Sequence, residues 1–145
     1  MSRSLAACLT LAAAAGCARG GPANTAEAVA DRFVDLYFVE VDQARALPLA
    51  VGPARETLER ELADVQGVRA GGGQPEAGRG SVYYRRTWSR VDPETGTART
   101  VYDLTVEQGR DRTRRHALLS LRREQGRWRV GSFTLRDGAA PQAHP

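Results

Sequence analysis

The spacing of apolar residues changes at Ser81, and this change constrains the fold more than any other feature of the chain. Before Ser81, apolar residues recur every three or four positions, which is the period of an amphipathic helix. From Ser81 onward they alternate with polar residues, as they do in half-buried strands. A glycine-rich stretch at 67–80 separates the two halves and is interpreted as a flexible connector. The sequence therefore predicts an α+β fold, in which N-terminal helices pack on a curved four-stranded antiparallel sheet.

The first half of the chain predicts three helices. Asn24 can cap the first helix, because its side chain can accept a hydrogen bond from a free backbone N–H group. The apolar stripe of this helix is formed by Val29, Phe33, Leu36, Tyr37 and Val41. Asp42 is expected to cap a short second helix over 43–47. A third helix is expected to have Pro53 in its first turn and to end at Gly67.

The second half predicts four strands that are connected by short turns. The turn signals are at 92–96, 109–111 and 125–126. In the last strand the alternation slips by one residue between Val130 and Phe133, beside Gly131. Such a slip predicts a β-bulge, since one extra residue in a strand reverses the faces of the residues that follow.

Two segments of this α+β pattern resemble the superfamily of nuclear-transport-factor-2-like domains, also called ketosteroid-isomerase-like or cystatin-like. The segments are AVADRFVDLY at 28–37 in the first helix and GRWRVGSFTL at 126–135 in the last strand. The resemblance implies a cone with a pocket between the helices and the sheet. The superfamily includes isomerases, cyclases, dehydratases and non-enzymatic binding modules, so the resemblance implies a fold and no single function.

The N-terminus has the layout of an export signal. Arg3 supplies a positive charge, and an apolar run of eleven residues follows at 5–15. This run is shorter than the roughly 20 residues that a spanning helix needs, and it suits the core of a signal peptide. The run ends in Ala-Ala-Gly-Cys at 14–17, which resembles a bacterial lipobox. The lipobox pattern prefers Leu three places before the Cys, where this chain has Ala14.

The lipobox resemblance implies cleavage between Gly16 and Cys17 and lipidation of the Cys17 thiol, which would anchor the chain to a membrane of the cell envelope. Ala18 lacks the negative charge of an inner-membrane retention signal, so the resemblance implies the outer membrane if the cell is Gram-negative. The alternative is an ordinary secretory leader with cleavage after a small-residue pair.

These features divide the chain into four parts. Residues 1–16 are expected to be the signal peptide, 17–23 the lipidated cysteine and a tether, 24–137 the α+β domain and 138–145 a disordered tail.

The charge of the chain is strongly uneven. All 21 basic residues are arginine. Residues 18–70 contain six arginines and nine acidic residues, whereas residues 79–137 contain fourteen arginines and seven acidic residues. Because an exported domain does not meet the genome, we expect no nucleic-acid partner; an anionic ligand, another envelope protein or the membrane itself fits better, and a homodimer is a further candidate. The alternative is a solvated arginine-rich sheet surface without a partner.

Arg86 is the most informative polar residue of the first predicted strand. Neighbouring strand residues point to opposite faces, so Arg86 should share a face with Tyr84 and Trp88, and Arg85 should not. A charge among apolar side chains must reach solvent, form an ion pair or line a wet pocket. We expect a pocket for an anionic or aromatic group with the candidate residues Tyr37, Tyr84, Arg86 and Trp88. The alternative is that Arg86 stacks on Trp88 with its guanidinium in water.

No catalytic, metal or cofactor site is expected. Asp103 should point to solvent by strand alternation, and the sequence places no orienting carboxylate beside His116. Both cysteines, Cys8 and Cys17, fall in the leader region, so the predicted domain has no cysteine ligands for a metal. The sequence thus favours a lipid-anchored extracytoplasmic binding or accessory domain of the bacterial cell envelope. The alternative is an isomerase, cyclase or lyase that uses the cone pocket.

Overall fold

Three helical segments precede four strands, in the order that the sequence predicts. The computed structural model of the chain describes residues 24–70 and 80–138. Helices α1, α2 and α3 span Ala26–Val34, Gln43–Ala46 and Gly52–Ala70, with a π-helical turn at Asp35–Val39 after α1 and a 3-10 turn at Leu47–Leu49 after α2. Strands β1 to β4 span Ser81–Asp92, Thr97–Gln108, Asp111–Glu124 and Arg127–Asp137. The expected signal peptide, Cys17 and the tether lie outside the described residues, as does the tail from residue 139 onward.

Helix α1 is capped by Thr25 and not by Asn24. Thr25 Oγ1 accepts a hydrogen bond from the backbone N–H of Ala28 at 3.1 Å. Asn24 bonds to the β3–β4 turn instead: its Nδ2 donates to Gly126 O at 2.9 Å, and its Oδ1 accepts from Trp128 N at 3.1 Å. The predicted cap is therefore wrong by one residue, because both polar atoms of Asn24 are engaged by a turn that is about a hundred residues away in sequence.

The second helix is confirmed and the third is longer than predicted. Asp42 Oδ1 accepts a hydrogen bond from Arg45 N at 3.0 Å and caps α2. Pro53 lies in the first turn of α3, as expected. However, α3 continues through Gly67 to Ala70. Glycine inside a helix costs only about 1 kcal/mol relative to alanine, so it lowers the stability of a helix without ending it.

The four strands form one antiparallel sheet in the order β1-β2-β3-β4, which confirms the predicted meander. Tight turns join neighbouring strands, and Gly126 adopts a φ of 77° in the β3–β4 turn, where a side chain would be strained. The predicted bulge in β4 is also confirmed. Ser120 pairs with Ser132 whereas Leu121 pairs with Val130, so Gly131 is the extra residue.

The helices cover one face of the sheet, which we call the inner face. The core between the two layers contains Ala30, Phe33 and Val34 from α1, Ala54 and Leu58 from α3, and Tyr102, Leu104, Leu119 and Val130 from the sheet. Phe33 and Leu58 are each 0% exposed. Burial of such a side chain contributes about 1.5–3 kcal/mol to stability, so this layer holds the helices to the sheet.

The opposite face, which we call the outer face, includes Trp88, Val101, Asp103, His116 and Leu118, which lie at the alternate strand positions. In the part of the chain that the structure describes, His116 is the one buried strand residue on this face. A buried polar side chain on an otherwise accessible face requires a polar partner.

Candidate functional site on the outer face of the sheet

Arg86 lies on the inner face, as predicted, and forms an ion pair there. Its Nη1 donates to both carboxylate oxygens of Asp31 in α1, each at 3.1 Å. The hydroxyl group of Tyr102, from β2, donates to the same carboxylate at 2.7 Å. Asp31 therefore joins α1 to both β1 and β2. Of the three outcomes that the sequence left open for Arg86, the structure shows the ion pair.

Trp88 lies on the outer face, so its predicted position beside Arg86 is wrong. Arg86 pairs with Tyr102, but Trp88 pairs with Val101, the residue that precedes Tyr102. Thr87 is thus an extra residue in β1 and forms a bulge that reverses the faces of all the residues after it. Because the two side chains lie on opposite faces, Arg86 does not stack on Trp88. The bulge has no glycine to signal it, in contrast to the bulge in β4.

Tyr37 contributes to an aromatic cluster between α1 and β4. Its ring centroid lies 5.5 Å from that of Phe33, 4.7 Å from that of Phe38 and 4.7 Å from that of Phe133. Its hydroxyl group donates to Glu61 of α3 at 2.7 Å. These contacts pack Tyr37 against α1, α3 and β4 and give it a structural role.

Tyr84 packs against Tyr102 on the inner face, with ring centroids 5.9 Å apart. Burial raises the pKa of Tyr84 to about 12, and the carboxylate of Asp35 acts in the same direction. Burial also raises the pKa of Tyr37 and of Tyr102, to which Glu61 and Asp31 respectively add. All three phenols are therefore neutral hydrogen-bond donors at physiological pH.

The four predicted pocket residues do not share one face of the sheet, although Tyr84 also borders the groove described below. Arg86 and Tyr84 lie close to Asp31 and Tyr102, Tyr37 lies in the aromatic cluster, and Trp88 faces away from both.

A groove of about 630 Å³ crosses the outer face toward the end that carries the β2–β3 turn. The residues that give it chemical character are Tyr83, Arg85, Asp103, Thr105, Arg114 and His116. Tyr83 is 57% exposed, which is high for an aromatic residue. A concave surface with an accessible aromatic side chain and several converging polar groups is typical of a small-molecule site.

His116 and Asp103 form the polar centre of this groove. His116 Nδ1 lies 2.9 Å from Asp103 Oδ1, and Arg85 Nη2 donates to the second carboxylate oxygen at 3.2 Å. The side chain of His116 is only 8% exposed. Since a carboxylate accepts hydrogen bonds, Nδ1 carries the proton in this contact. Asp103 points to the outer face as alternation predicts, but the expectation that His116 lacks an orienting carboxylate is wrong.

The sequence held a signal for this pair. The turn at 109–110 has two residues, which sets Gln108 opposite Asp111 and, counting back along both strands, Asp103 opposite His116. The register set by this turn brings the two residues together, whereas the alternation within each strand taken alone does not relate them.

The groove is basic. Arg85 and Arg115 are neutralised by Asp103 at 3.2 Å and by Asp137 at 2.8 Å. Arg114 makes no ion pair with any residue in the described part of the chain. Its positive charge is therefore not balanced by a carboxylate of that part of the chain and can interact with an anionic ligand. Guanidinium groups suit carboxylates and phosphates because they offer paired N–H donors in one plane.

Within residues 24–70 and 80–138, no group of three or more His, Cys, Asp or Glu residues is arranged to hold a metal ion. The helices described there also do not include one with the length and apolar character needed to cross a bilayer.

Comparison with solved structures decides the fold. A designed nuclear-transport-factor-2-like protein superposes with a TM-score of 0.52 at 11% sequence identity, over 77% of this chain and 96% of that one. The chain has a nuclear-transport-factor-2-like fold. The resemblance inferred from the first helix and the last strand is therefore confirmed at the level of the fold. At this identity, the similarity of the two structures shows a nuclear-transport-factor-2-like architecture and carries no activity with it. The sequence itself matches no family model and no curated protein.

Proposed function

We propose that this protein is a lipid-anchored, extracytoplasmic binding domain of the bacterial cell envelope that takes a small anionic ligand in the groove of the outer face. The observation that carries the proposal is the buried His116, held by Asp103 beside the unpaired Arg114. The nuclear-transport-factor-2-like fold supports a small binding domain in general, but the groove lies on the outer face and not in the pocket between helices and sheet that the resemblance implies.

The chemistry of the groove selects the class of ligand. Arg114 supplies a positive charge, and His116 Nε2 supplies either a hydrogen-bond donor or an acceptor, depending on its protonation. The exposed ring of Tyr83 adds an apolar surface for the rest of the ligand. We therefore expect a carboxylate or phosphate group on a compact organic body.

The location of the protein rests on the sequence. The lipobox-like Ala-Ala-Gly-Cys at 14–17 supports attachment through Cys17, in the outer membrane if the cell is Gram-negative. Two or three acyl chains anchor a protein durably, since each buried methylene group contributes about 0.8 kcal/mol.

Ligand binding can be tested directly at the histidine. The chain contains two histidines, His116 and His144, and His116→Gln assigns their imidazole NMR signals. We expect inorganic phosphate or succinate to shift the His116 signals with saturation. Arg114→Gln should weaken this binding about tenfold or more, because it removes a charge-assisted hydrogen bond.

Arg110→Gln is the matched control, since Arg110 lies in the adjacent β2–β3 turn and is not part of the groove lining. Unsaturable shifts, or equal losses in Arg114→Gln and Arg110→Gln, would show that the groove does not bind anions specifically.

The His116–Asp103 pair also favours a second candidate, a lyase or isomerase in which His116 acts as a general base. A carboxylate that orients an imidazole is a frequent arrangement for proton transfer. This site would lie on the outer face and not in the cone pocket that the sequence suggested. Turnover of a bound compound that is lost in both His116→Gln and Asp103→Asn, while binding persists, would favour the enzyme.

A further inference from the structure

The chain enters the domain at one defined end of the sheet. Asn24 is fixed to the β3–β4 turn through Gly126 O at 2.9 Å and Trp128 N at 3.1 Å. The β1–β2 turn lies at the same end, since Arg123 N donates to Gly96 O at 2.8 Å. We call this the tether end, because the residues that precede Asn24 lead to it. The groove of His116 lies toward the opposite end of the outer face.

The tether end carries an excess of arginine. Its basic residues are Arg90, Arg99, Arg122, Arg123, Arg127 and Arg129, and its acidic residues are Asp92, Glu94 and Glu124. One ion pair joins these groups, between Arg122 and Glu124 at 2.7 Å. Within the described residues, Arg90, Arg99, Arg127 and Arg129 have no carboxylate at ion-pair distance.

The end of the sheet that carries the β2–β3 turn, which we call the far end, has both paired and unpaired arginines. Arg112 pairs with Glu107 at 3.3 Å, and Arg115 pairs with Asp137 at 2.8 Å. Within the described residues, Arg110, Arg114 and Arg136 have no carboxylate at ion-pair distance. Unpaired arginine therefore occurs at both ends, and the tether end is distinguished by its position next to the segment that leads to Cys17.

The arginines of the tether end also line recesses. Arg90 and Arg99 border a groove of about 290 Å³ together with Trp88 and Asp92. Arg99 and Arg122 border a second groove of about 250 Å³, and Arg122 also pairs with Glu124. Each recess therefore presents two guanidinium groups to a phosphate oxygen, with one carboxylate close to them.

The length of the segment before Asn24 indicates which surface the arginines of the tether end would contact. Six residues at 18–23 lie between Cys17 and Asn24, which makes seven Cα–Cα steps between the two. They span at most about 25 Å when extended, and roughly 15 Å on average as a flexible chain. An anchored domain would therefore keep its tether end close to the headgroups. Screening at physiological ionic strength acts over about 8 Å, so contact is required for a strong attraction.

We propose that the tether end of the sheet docks on an anionic lipid surface, with lipid phosphates seated between Arg90, Arg99 and Arg122. In this orientation the tether end contacts the membrane, and the groove of His116 faces away from it. This inference rests on the proposed lipid anchoring for its biological setting, but the docking itself does not require the anchor.

The test uses the chain from residue 17 onward with its thiol blocked, and vesicles of phosphatidylcholine with or without one third phosphatidylglycerol. Because the anchor is absent, the result does not depend on whether cells lipidate Cys17. We expect sedimentation with the anionic vesicles only, and loss of binding when salt is raised. The triple variant Arg90→Gln, Arg99→Gln, Arg122→Gln should bind about a hundredfold more weakly, at roughly fivefold for each arginine.

The triple variant Arg110→Gln, Arg112→Gln, Arg136→Gln is the matched control, since it removes the same charge from exposed positions toward the far end. It should retain most of the binding. Equal losses in the two triple variants would overturn the proposal in favour of attraction by net charge. Absence of vesicle binding, or tighter binding to heparin than to the vesicles, would also overturn it. Matching circular dichroism spectra would establish that all three proteins are folded.

Discussion

The imidazole of His116 lies 2.9 Å from the carboxylate of Asp103, on the face of the sheet that the helices leave uncovered. The two residues are direct partners across the β2–β3 ladder, so the register of one hairpin holds the pair together. Arg85 on β1 donates to the other oxygen of the carboxylate at 3.2 Å. Three adjacent strands therefore position one histidine, and a rigid scaffold of this kind suits a binding site.

The coupling between His116 and Asp103 can be measured by a double-mutant cycle. Asp103→Asn should lower the free energy of unfolding by about 1–2 kcal/mol, because it weakens a hydrogen bond to a charged group at a buried imidazole. The same change in a His116→Gln background should have a smaller effect. Urea denaturation of the four proteins gives the coupling energy, and additive effects would show that the contact contributes nothing.

The carboxylate of Asp31 should matter more for stability than either of its partners. Asp31→Ala removes the acceptor for Arg86 and for the buried hydroxyl group of Tyr102, and should cost about 2–3 kcal/mol. Tyr102→Phe should cost about 1 kcal/mol, since Arg86 still satisfies the carboxylate. The reverse order of the two denaturation midpoints would contradict this account.

Stability should fall in alkaline solution because of the buried phenols. The fold raises the pKa of Tyr84 from its ordinary value of 10 to about 12, so the folded state holds this proton more tightly than the unfolded state. The resulting stabilisation is complete below pH 10 and is lost as the pH rises toward 12. Tyr37 and Tyr102 act in the same direction.

The variant Tyr84→Phe has no proton to lose at this position. Its free energy of unfolding, measured by urea denaturation across this alkaline range, should therefore depend less steeply on pH than that of the parent chain. Identical slopes for the two proteins would show that Tyr84 titrates as it does when unfolded.

The proposed lipid anchor predicts a difference between the two cysteines. Cys17→Ser should move the protein from the membrane fraction to the soluble fraction of the cells that produce it, because the acceptor thiol is lost. Cys8→Ser should leave the protein in the membrane fraction, since Cys8 lies within the expected signal peptide. Mass spectrometry of the membrane-bound protein should find acyl chains on an N-terminal Cys17. An unmodified thiol there would contradict the anchor.

Local patterns predicted most of the architecture. The change of period at Ser81, the cap at Asp42 and the bulge at Gly131 each depend on residues that are close together in sequence, and all three agree with the structure. The longer reach of α3 beyond Gly67 shows the limit of such signals, because a glycine weakens a helix without deciding where it ends.

Local patterns placed Asp103 on the outer face but did not pair it with His116, because that required counting the register from the β2–β3 turn. Strand alternation placed Trp88 beside Arg86, but the bulge at Thr87 lies between them and carries no residue type that would reveal it. Strand alternation indicated that Arg86 must form an ion pair, reach solvent or line a wet pocket. It could not identify the partner, because Asp31 lies 55 residues earlier in the sequence, in α1.

By itself, the sequence determined the class of each segment and the order of helices and strands, because hydrophobic period and turn chemistry act over a few residues. The tertiary structure decided which polar groups meet: Asp31 with Arg86, Asn24 with the β3–β4 turn, and Asp103 with His116. Such pairs depend on register and on the packing of helix against sheet, and both are fixed only when distant parts of the chain bury their apolar surfaces together.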